Sequence, residues 1–302
     1  MNLKTLEAKE NFLGIEELEY CSLSNSRVAI LPVPYEHTVS YGGGTRNGPR
    51  GLIDASRYVE FYDEETKREI FSELVIATLE TVACDNRGDE EVLEDIYKRV
   101  AELIRLDKFV VMIGGEHTIS QAAVAAYAER YSDLSILHFD AHSDLRNEYQ
   151  GSKFSHASVM ARVCEFIDPH RLVQVGIRAQ CIEEAEFIEQ HGISTLYAHE
   201  IRSGKYTKLL KYWEDYPIEK LTDHVYVTFD VDAFDPSVMP STGTPEPNGL
   251  HWPETMALLK KLGRRKKVVG CDIVELAPIP GLHHADLTAA KLVSKMINYF
   301  VR

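Results

Sequence analysis

The amino-acid sequence predicts a three-layer α/β/α fold, one domain around a mostly parallel eight-stranded sheet, and three observations carry that expectation. Short, β-rich apolar runs alternate with longer segments of helical periodicity along most of the chain. Several runs are apolar at successive positions, as Phe109-Val110-Val111-Met112-Ile113 is, which is what a strand covered on both faces requires. No Pro/Gly/Ser-rich linker, internal repeat or low-complexity stretch divides residues 1–302, so no domain boundary is expected.

The elements follow in order. Met1–Ser26 is polar and acidic enough to be an N-terminal arm or a cap. The first two strands are expected at Arg27–Pro34 and Leu74–Cys84, with a helix at Glu91–Leu106. Four further strands, Lys108–Gly114, Leu134–Phe139, Arg171–Ile177 and Gly192–Tyr197, enclose helices at Thr118–Arg130, His156–Phe166 and Glu183–Gln190. The last two, His224–Asp230 and Lys267–Val274, are each followed by a helix, Pro253–Leu262 and Leu287–Phe300. Several of these helices space their apolar residues by three and four.

Composition narrows the function. With 44% hydrophobic and 26% charged residues the chain is ordinary for a globular protein. A formal net charge of -14 argues against nucleic acid as a partner and mildly favours a cationic ligand. The longest apolar runs are too short to cross a bilayer and the N-terminus lacks a signal-peptide pattern. Five scattered cysteines with no CxxC pair suggest neither a disulfide framework nor a zinc ribbon. A cytoplasmic, non-membrane protein is expected.

In a parallel sheet, ligands bind in the crevice at the carboxyl ends of the strands. Four strands run there into metal-ligand residues: Gly114-Gly115-Glu116-His117, Asp140-Ala141-His142-Ser143-Asp144, Asp230-Val231-Asp232 and Glu275. An Asp at such a position also caps helices and closes turns, but the convergence of these segments exceeds what capping needs. In extended chain, residues two apart project to one side, so Asp140, His142 and Asp144 can face one centre, as can Asp230 and Asp232. Four carboxylates and two imidazoles without a thiolate suit Mn²⁺ better than structural zinc. Two ions about 3.5–4 Å apart share that charge and acidify a water held between them.

The segments GGEHTIS (Gly114–Ser120), DAHSD (Asp140–Asp144) and FDVDAFDPSVMPSTGTPEPNGL (Phe229–Leu250) resemble, in order, the three signatures of the ureohydrolase family of arginases and agmatinases. Pro32–Leu52 and Gly176–Arg178 are similar to its agmatinase-type members. The resemblance implies two Mn²⁺ per subunit, one on His117, Asp140, Asp144 and Asp230, the other on His142, Asp140, Asp230 and Asp232, with Asp140 and Asp230 bridging. It implies that Asp144 steadies the nucleophilic hydroxide, that His156 shuttles a proton, and that Glu275 grips the guanidinium with support from Thr244. This chain departs from the pattern at Ala157, Ser241 and Asn248, where glycines are usual. A homotrimer or homohexamer is the assembly the family implies.

The arginase pattern for an α-amino acid is absent after Asp144 and after Arg178, which favours agmatine as substrate. Aminopropylagmatine, with a longer cationic tail, fits the same reasoning; Glu148, Glu183 and Glu184 are candidate amine partners, and Arg146 would suit an acid substrate's carboxylate. Arginine, guanidino-acid and formiminoglutamate hydrolases, which keep the same metal motifs, are the runners-up in specificity. A catalytically silent relative and a two-metal phosphoesterase are the competing readings. The full ligand set speaks against the first, and the acidic Glu275 beside the metals against the second.

Overall fold

The computed structural model describes residues 3–208 and 210–302; Met1 and Asn2 of the expected N-terminal arm lie outside the described residues, as does Leu209. Each of the eight apolar runs contains a strand: β1 (Val28–Val33), β2 (Ile76–Thr78), β3 (Phe109–Gly114), β4 (Ser135–Phe139), β5 (Leu172–Ile177), β6 (Ser194–Tyr197), β7 (His224–Asp230) and β8 (Lys267–Val274). They form one sheet in the order β2-β1-β3-β8-β7-β4-β5-β6, and every neighbouring pair is parallel. That order brings β3, β8, β7 and β4 side by side at the centre. These are the four strands whose ends carry the candidate ligands.

The helices are α1 (Gly48–Ser56), α2 (Ile70–Leu74), α3 (Asp89–Arg105), α4 (Ser120–Arg130), α5 (Val159–Val163), α6 (Ile182–His191), α7 (Ala198–Arg202), α8 (Asp215–Lys220), α9 (Trp252–Arg265) and α10 (His283–Phe300). Strand parity divides the core between two faces. Val28 and Ile30 of β1 pack with Leu52 of α1, Leu258 and Leu262 of α9, and Leu292 and Met296 of α10. Ala29, Leu31 and Val33 pack instead with Ile96 and Val100 of α3, Val124 of α4 and Val159 of α5. Each fully buried Leu, Ile or Val contributes about 1.5–3 kcal/mol, so both layers are held chiefly by apolar contact.

Three expectations are corrected. The run Leu74–Cys84 is not one long strand: Leu74 ends α2, and only Ile76–Thr78 is paired along its length as β2. Apolar residues there serve a helix end, an edge strand and an extended tail in succession. The stretch Thr118–Arg130 begins as a 3₁₀ turn at His117–Ile119 before α4, and His156–Phe166 resolves into a 3₁₀ turn at His156–Ser158 followed by the short α5.

The chain before β1 covers the β2 edge of the sheet. Thr5 bridges Leu79 in antiparallel fashion, the Leu6 amide donates to the Thr78 carbonyl at 2.8 Å, and Phe12, Leu13 and Ile15 are buried in the α1/α10 layer. An edge strand covered in this way offers no free ladder to another chain. No helix among the described residues is long and apolar enough to cross a membrane.

Candidate active site

Local sequence shapes each strand end. After β3, Gly115 passes so close to the first strand's loop that a Cβ would lie 1.9 Å from the Tyr35 carbonyl oxygen, so only glycine fits there. Asp140 directly follows β4, Asp230 is the last residue of β7, and Glu275 directly follows β8. Asp144 and Glu275 adopt left-handed backbone, with φ of 54° and 65°, a conformation that costs a residue with a Cβ about 1–2 kcal/mol. Hydrogen bonds hold both in place: the Asp144 carbonyl accepts from the Met160 and Ala161 amides, and the Glu275 amide donates to the Gly115 carbonyl. Strain of this kind gathers at sites that must aim a side chain.

The six expected ligands come together. His117 Nδ1 lies 3.1 Å from Asp140 Oδ2, 3.1 Å from Asp144 Oδ2 and 3.6 Å from Asp230 Oδ2. His142 Nδ1 lies 2.9 Å from Asp232 Oδ2 and 3.5 Å from Asp140 Oδ1. Asp140 is common to the two groups of potential donors. Asp230 Oδ1 accepts from the Asp232 amide at 2.7 Å, and Asp232 Oδ1 from the Ala141 amide at 2.9 Å, which leaves the other oxygen of each facing the cluster.

The donors fit divalent cations. His117 Nε2 donates to Thr228 Oγ1 at 2.9 Å, because the Thr228 hydroxyl spends its own hydrogen on Asp272 Oδ1 at 2.7 Å. In the neutral ring Nδ1 is therefore the lone-pair nitrogen. It is buried without a hydrogen-bond partner and faces three carboxylate oxygens, an arrangement that only a positive charge relieves. Burial disfavours an imidazolium at both histidines, yet the surrounding carboxylates outweigh it, holding His117 well above its ordinary pKa and His142 up to about 12. Burial and then like charge push the acids up: Asp144 to about 6 beside Asp140, Asp230 well above the ordinary value beside Asp232 and Asp140, and Glu275 well above it beside Glu116.

A narrow cleft above the cluster is lined by His142, Asp144, Asp230, Asp232, His156, Thr244 and Glu275, so all of the remaining candidates reach it. Glu275 Oε1 accepts the His117 amide hydrogen at 2.7 Å. His156 follows the cap residue Ser155, whose Oγ accepts from the Ala157 amide; burial, then the charges of His142 and His117, lower its pKa to about 4. The cleft widens into a cavity of about 350 Å³ shared by His142, Asp144, His156 and Thr244 with Arg146, Tyr149, Glu184 and Glu246. A larger groove, about 980 Å³ and lined by residues of α9 and α10, contains none of these groups.

Of the candidate amine partners, Glu184 is spent on the backbone, its two oxygens accepting from the Leu145 and Cys181 amides at 2.9 and 2.7 Å. Glu148 and Glu183 are exposed and do not line the cavity. Arg146 reaches the cavity but stacks over Tyr149, 5.2 Å from its ring centre.

Sequence reasoning gave three contributors no role. His138 Nε2 lies 2.8 Å from Asp140 Oδ2. Gln174 fixes its tautomer: the amide accepts from Thr195 Oγ1 and donates through Nε2 to the Ser143 carbonyl, so Nε2 also donates to His138 Nδ1. His138 Nε2 thus carries hydrogen and donates to Asp140 rather than offering a lone pair to a cation. Extending the two-residue parity of 140, 142 and 144 one step back would have found it. Arg178 ties the loop after β7 together, its Nη2 donating to the Asp232 and Glu246 carbonyls at 2.7 and 2.8 Å and its Nε to that of Pro247 at 3.1 Å. Glu116 carries no signal beyond its place beside His117; it clasps Thr38 through both oxygens.

Fold and site together define a parallel α/β protein whose central strand ends present a carboxylate–imidazole cluster fitted to divalent cations beneath a narrow cleft. The model of the arginase family matches residues 26–298, and the chain belongs to that family. The N(1)-aminopropylagmatine ureohydrolase of Synechocystis sp. is 36% identical over 304 residues, covering 98% of this chain and 96% of that protein. An agmatinase of Bacillus cereus is 35% identical over 294 residues, covering 93% and 94%. The crystal structure of an agmatine ureohydrolase of Thermoplasma volcanium superposes with a TM-score of 0.81 at 27% identity, over 99% of this chain and 94% of that one.

Proposed function

We propose that this chain is a ureohydrolase that cleaves the guanidino C–N bond of a linear amine, agmatine being converted to putrescine and urea. The observation that carries this reading is the cleft itself, which sets the Glu275 carboxylate beside a cluster of imidazoles and carboxylates fitted to divalent cations. We assign two Mn²⁺ to that cluster, one to His117, Asp140, Asp144 and Asp230 and the other to His142, Asp140, Asp230 and Asp232; oxygen and imidazole donors without a thiolate suit this metal. When bound, the pair supplies an acidified water as nucleophile and a positive field over the carbon under attack.

The protein's own groups do the rest. Glu275 has one lone pair committed to the His117 amide, and Oε2 with the remaining lone pair of Oε1 accepts the guanidinium N–H fork, turning the planar carbon toward the cluster. Asp144 orients the attacking water by accepting its hydrogen. Thr244, which lines both the cleft and the outer cavity, supports the substrate where its tail leaves the cleft. The water's oxygen ends in urea and both of its hydrogens on the departing nitrogen; His156, whose imidazole burial holds below its ordinary pKa, accepts a proton and returns it to the amine, a poor leaving group until protonated.

N(1)-aminopropylagmatine is the second reading. The name of the Synechocystis relative favours it, and so does the outer cavity, whose roughly 350 Å³ gives room for a longer tail. The five cysteines are all free, which supports a reducing cytoplasm, and we carry over the family's homotrimer or homohexamer. Urea release after Mn²⁺ preincubation, from agmatine, aminopropylagmatine, arginine and guanidinobutyrate, tests the proposal against an Asp140→Asn control. Turnover of agmatine that the control abolishes is expected. Preference for another substrate moves the specificity, and silence on all four overturns the reading.

A further inference from the structure

Histidine can pass a proton only from the ring nitrogen that faces the reacting atoms, so what bonds the other nitrogen matters. His156 Nδ1 lies 3.2 Å from Thr38 Oγ1, and the His156 backbone amide donates to the same oxygen at 3.3 Å. Thr38 is itself clasped: its amide donates to Glu116 Oε1 and its hydroxyl to Glu116 Oε2, both at 2.6 Å. Glu116 is buried, and its own amide donates to the Tyr35 carbonyl at 2.8 Å, so the clasp joins the loops that follow β1 and β3. A carboxylate offers acceptors only. The Thr38 hydroxyl hydrogen is therefore spent on Glu116, and its oxygen has only lone pairs left for His156. Nδ1 must bring the hydrogen, and in the neutral ring Nε2 is then the basic nitrogen.

We propose that Thr38 and Glu116 are positioning residues that hold His156 in its Nδ1–H tautomer and so reserve Nε2 for proton transfer in the cleft. The inference rests on the ureohydrolase reading for what that proton does, but not for the tautomer itself. The same three-part device stands on the other side of the cluster, where Asp272 and Thr228 fix the tautomer of His117 through its Nε2. In both, a hydroxyl between a buried carboxylate and an imidazole makes the ring's outer nitrogen a donor and its inner one a lone pair. The protons balance: Nε2 takes one hydrogen of the attacking water and delivers it to the departing nitrogen, the other, accepted by Asp144, passes to the same nitrogen, and His156 ends as it began.

The test compares the full-length wild type with Thr38→Val and Thr38→Ser. Long-range ¹H–¹⁵N spectra of the Mg²⁺-loaded proteins near pH 7, with His156→Asn to assign the signal, read the tautomer directly. Wild type and Thr38→Ser should show hydrogen on Nδ1, and Thr38→Val should move it wholly or partly to Nε2. With Mn²⁺ and agmatine, Thr38→Val should lose about 100-fold in kcat with little change in KM, and Thr38→Ser should recover most of that loss. Hydrogen on Nε2 in the wild type overturns the proposal, even if Thr38→Val fails to fold; so does an unchanged tautomer in Thr38→Val, or a Thr38→Ser variant as slow as Thr38→Val. A wild type with the Nδ1–H signal but no urea from any guanidino amine sinks the function and leaves the tautomer assignment standing.

Discussion

Asp140 shows how much one side chain is asked to do at the top of this sheet. Its Oδ2 accepts from His138 and faces His117, while Oδ1 turns toward His142. Because His138 aims Asp140 without being a ligand, His138→Ala should weaken Mn²⁺ binding by about 10- to 100-fold. Chelator competition reads this directly; unchanged affinity would show that Asp140 needs no such support. Glu275→Gln makes a different prediction. The amide keeps an acceptor for the His117 N–H but loses the charge facing the guanidinium, so kcat/KM for agmatine should fall about 10- to 100-fold at unchanged metal stoichiometry. Residue types and spacing marked the six candidate ligands and Glu275 in the sequence, since they lie at or just beyond strand ends, whereas His156 and Thr244, farther along their loops, rested on the family resemblance. Thr38 was not, because nothing in a loop of Glu, His, Thr and Ser tells which hydroxyl will meet a carboxylate that lies 78 residues away.

Two of the sequence's three departures from its family's pattern lie in the loop after β7, and the structure accounts for both. Asn248 has φ of 68°, left-handed backbone that asparagine tolerates better than other residues with a Cβ. Ser241 is not among the residues with positive φ and has no need of glycine. Asn248→Gly should therefore leave stability nearly unchanged, whereas Asn248→Val should cost about 1–2 kcal/mol in urea denaturation, with a raised KM because the same loop carries Thr244. Equal stability of the two variants would show that this backbone tolerates any residue. The elements were legible in proportion to their regularity. Short β-rich runs, several of them apolar at successive positions, marked all eight strands, and long amphipathic stretches marked α3, α9 and α10 to within about four residues of their ends. The short α1, α2, α7 and α8 were missed: α1 opens on Gly48-Pro49 and reads as a turn, and five- or six-residue helices such as α2, α7 and α8 are set by what they pack on rather than by period.

At the scale of the whole molecule, a chain of net charge -14 must place its acids carefully, and one half-buried cluster ties an early turn to the last two helices. The turn between Tyr62–Asp63 and Arg68–Glu69 is fastened to α10 by Lys295, whose Nζ lies 2.7 Å from Asp63 Oδ2 and 3.0 Å from Glu65 Oε2, while Lys260 of α9 reaches Glu65 Oε1 at 2.6 Å. Burial opposes ionisation of both acids. The bonds from Lys295 and Thr66 nevertheless hold Asp63 below its ordinary pKa, and those from Lys260, Tyr299 and Lys295 hold Glu65 at about 2. A depressed carboxylate stabilises the fold above its unfolded pKa, about 4, and the gain is lost as pH falls through the folded value. Lys295, raised by the same acids although burial opposes its charge, stabilises below its ordinary value and ceases to do so only in strong alkali. The cluster should therefore support the fold at full strength from about pH 5 to 10 and fade between about pH 4 and 2. Lys295→Met leaves Asp63 buried and without its cation, which should cost about 3 kcal/mol at pH 7. At pH 3 the unpaired Asp63 takes up a proton and the deficit should shrink. Urea denaturation of both proteins at the two pH values decides the matter: a deficit that stays constant would mean that Lys295 acts by packing its stem rather than by holding the acids.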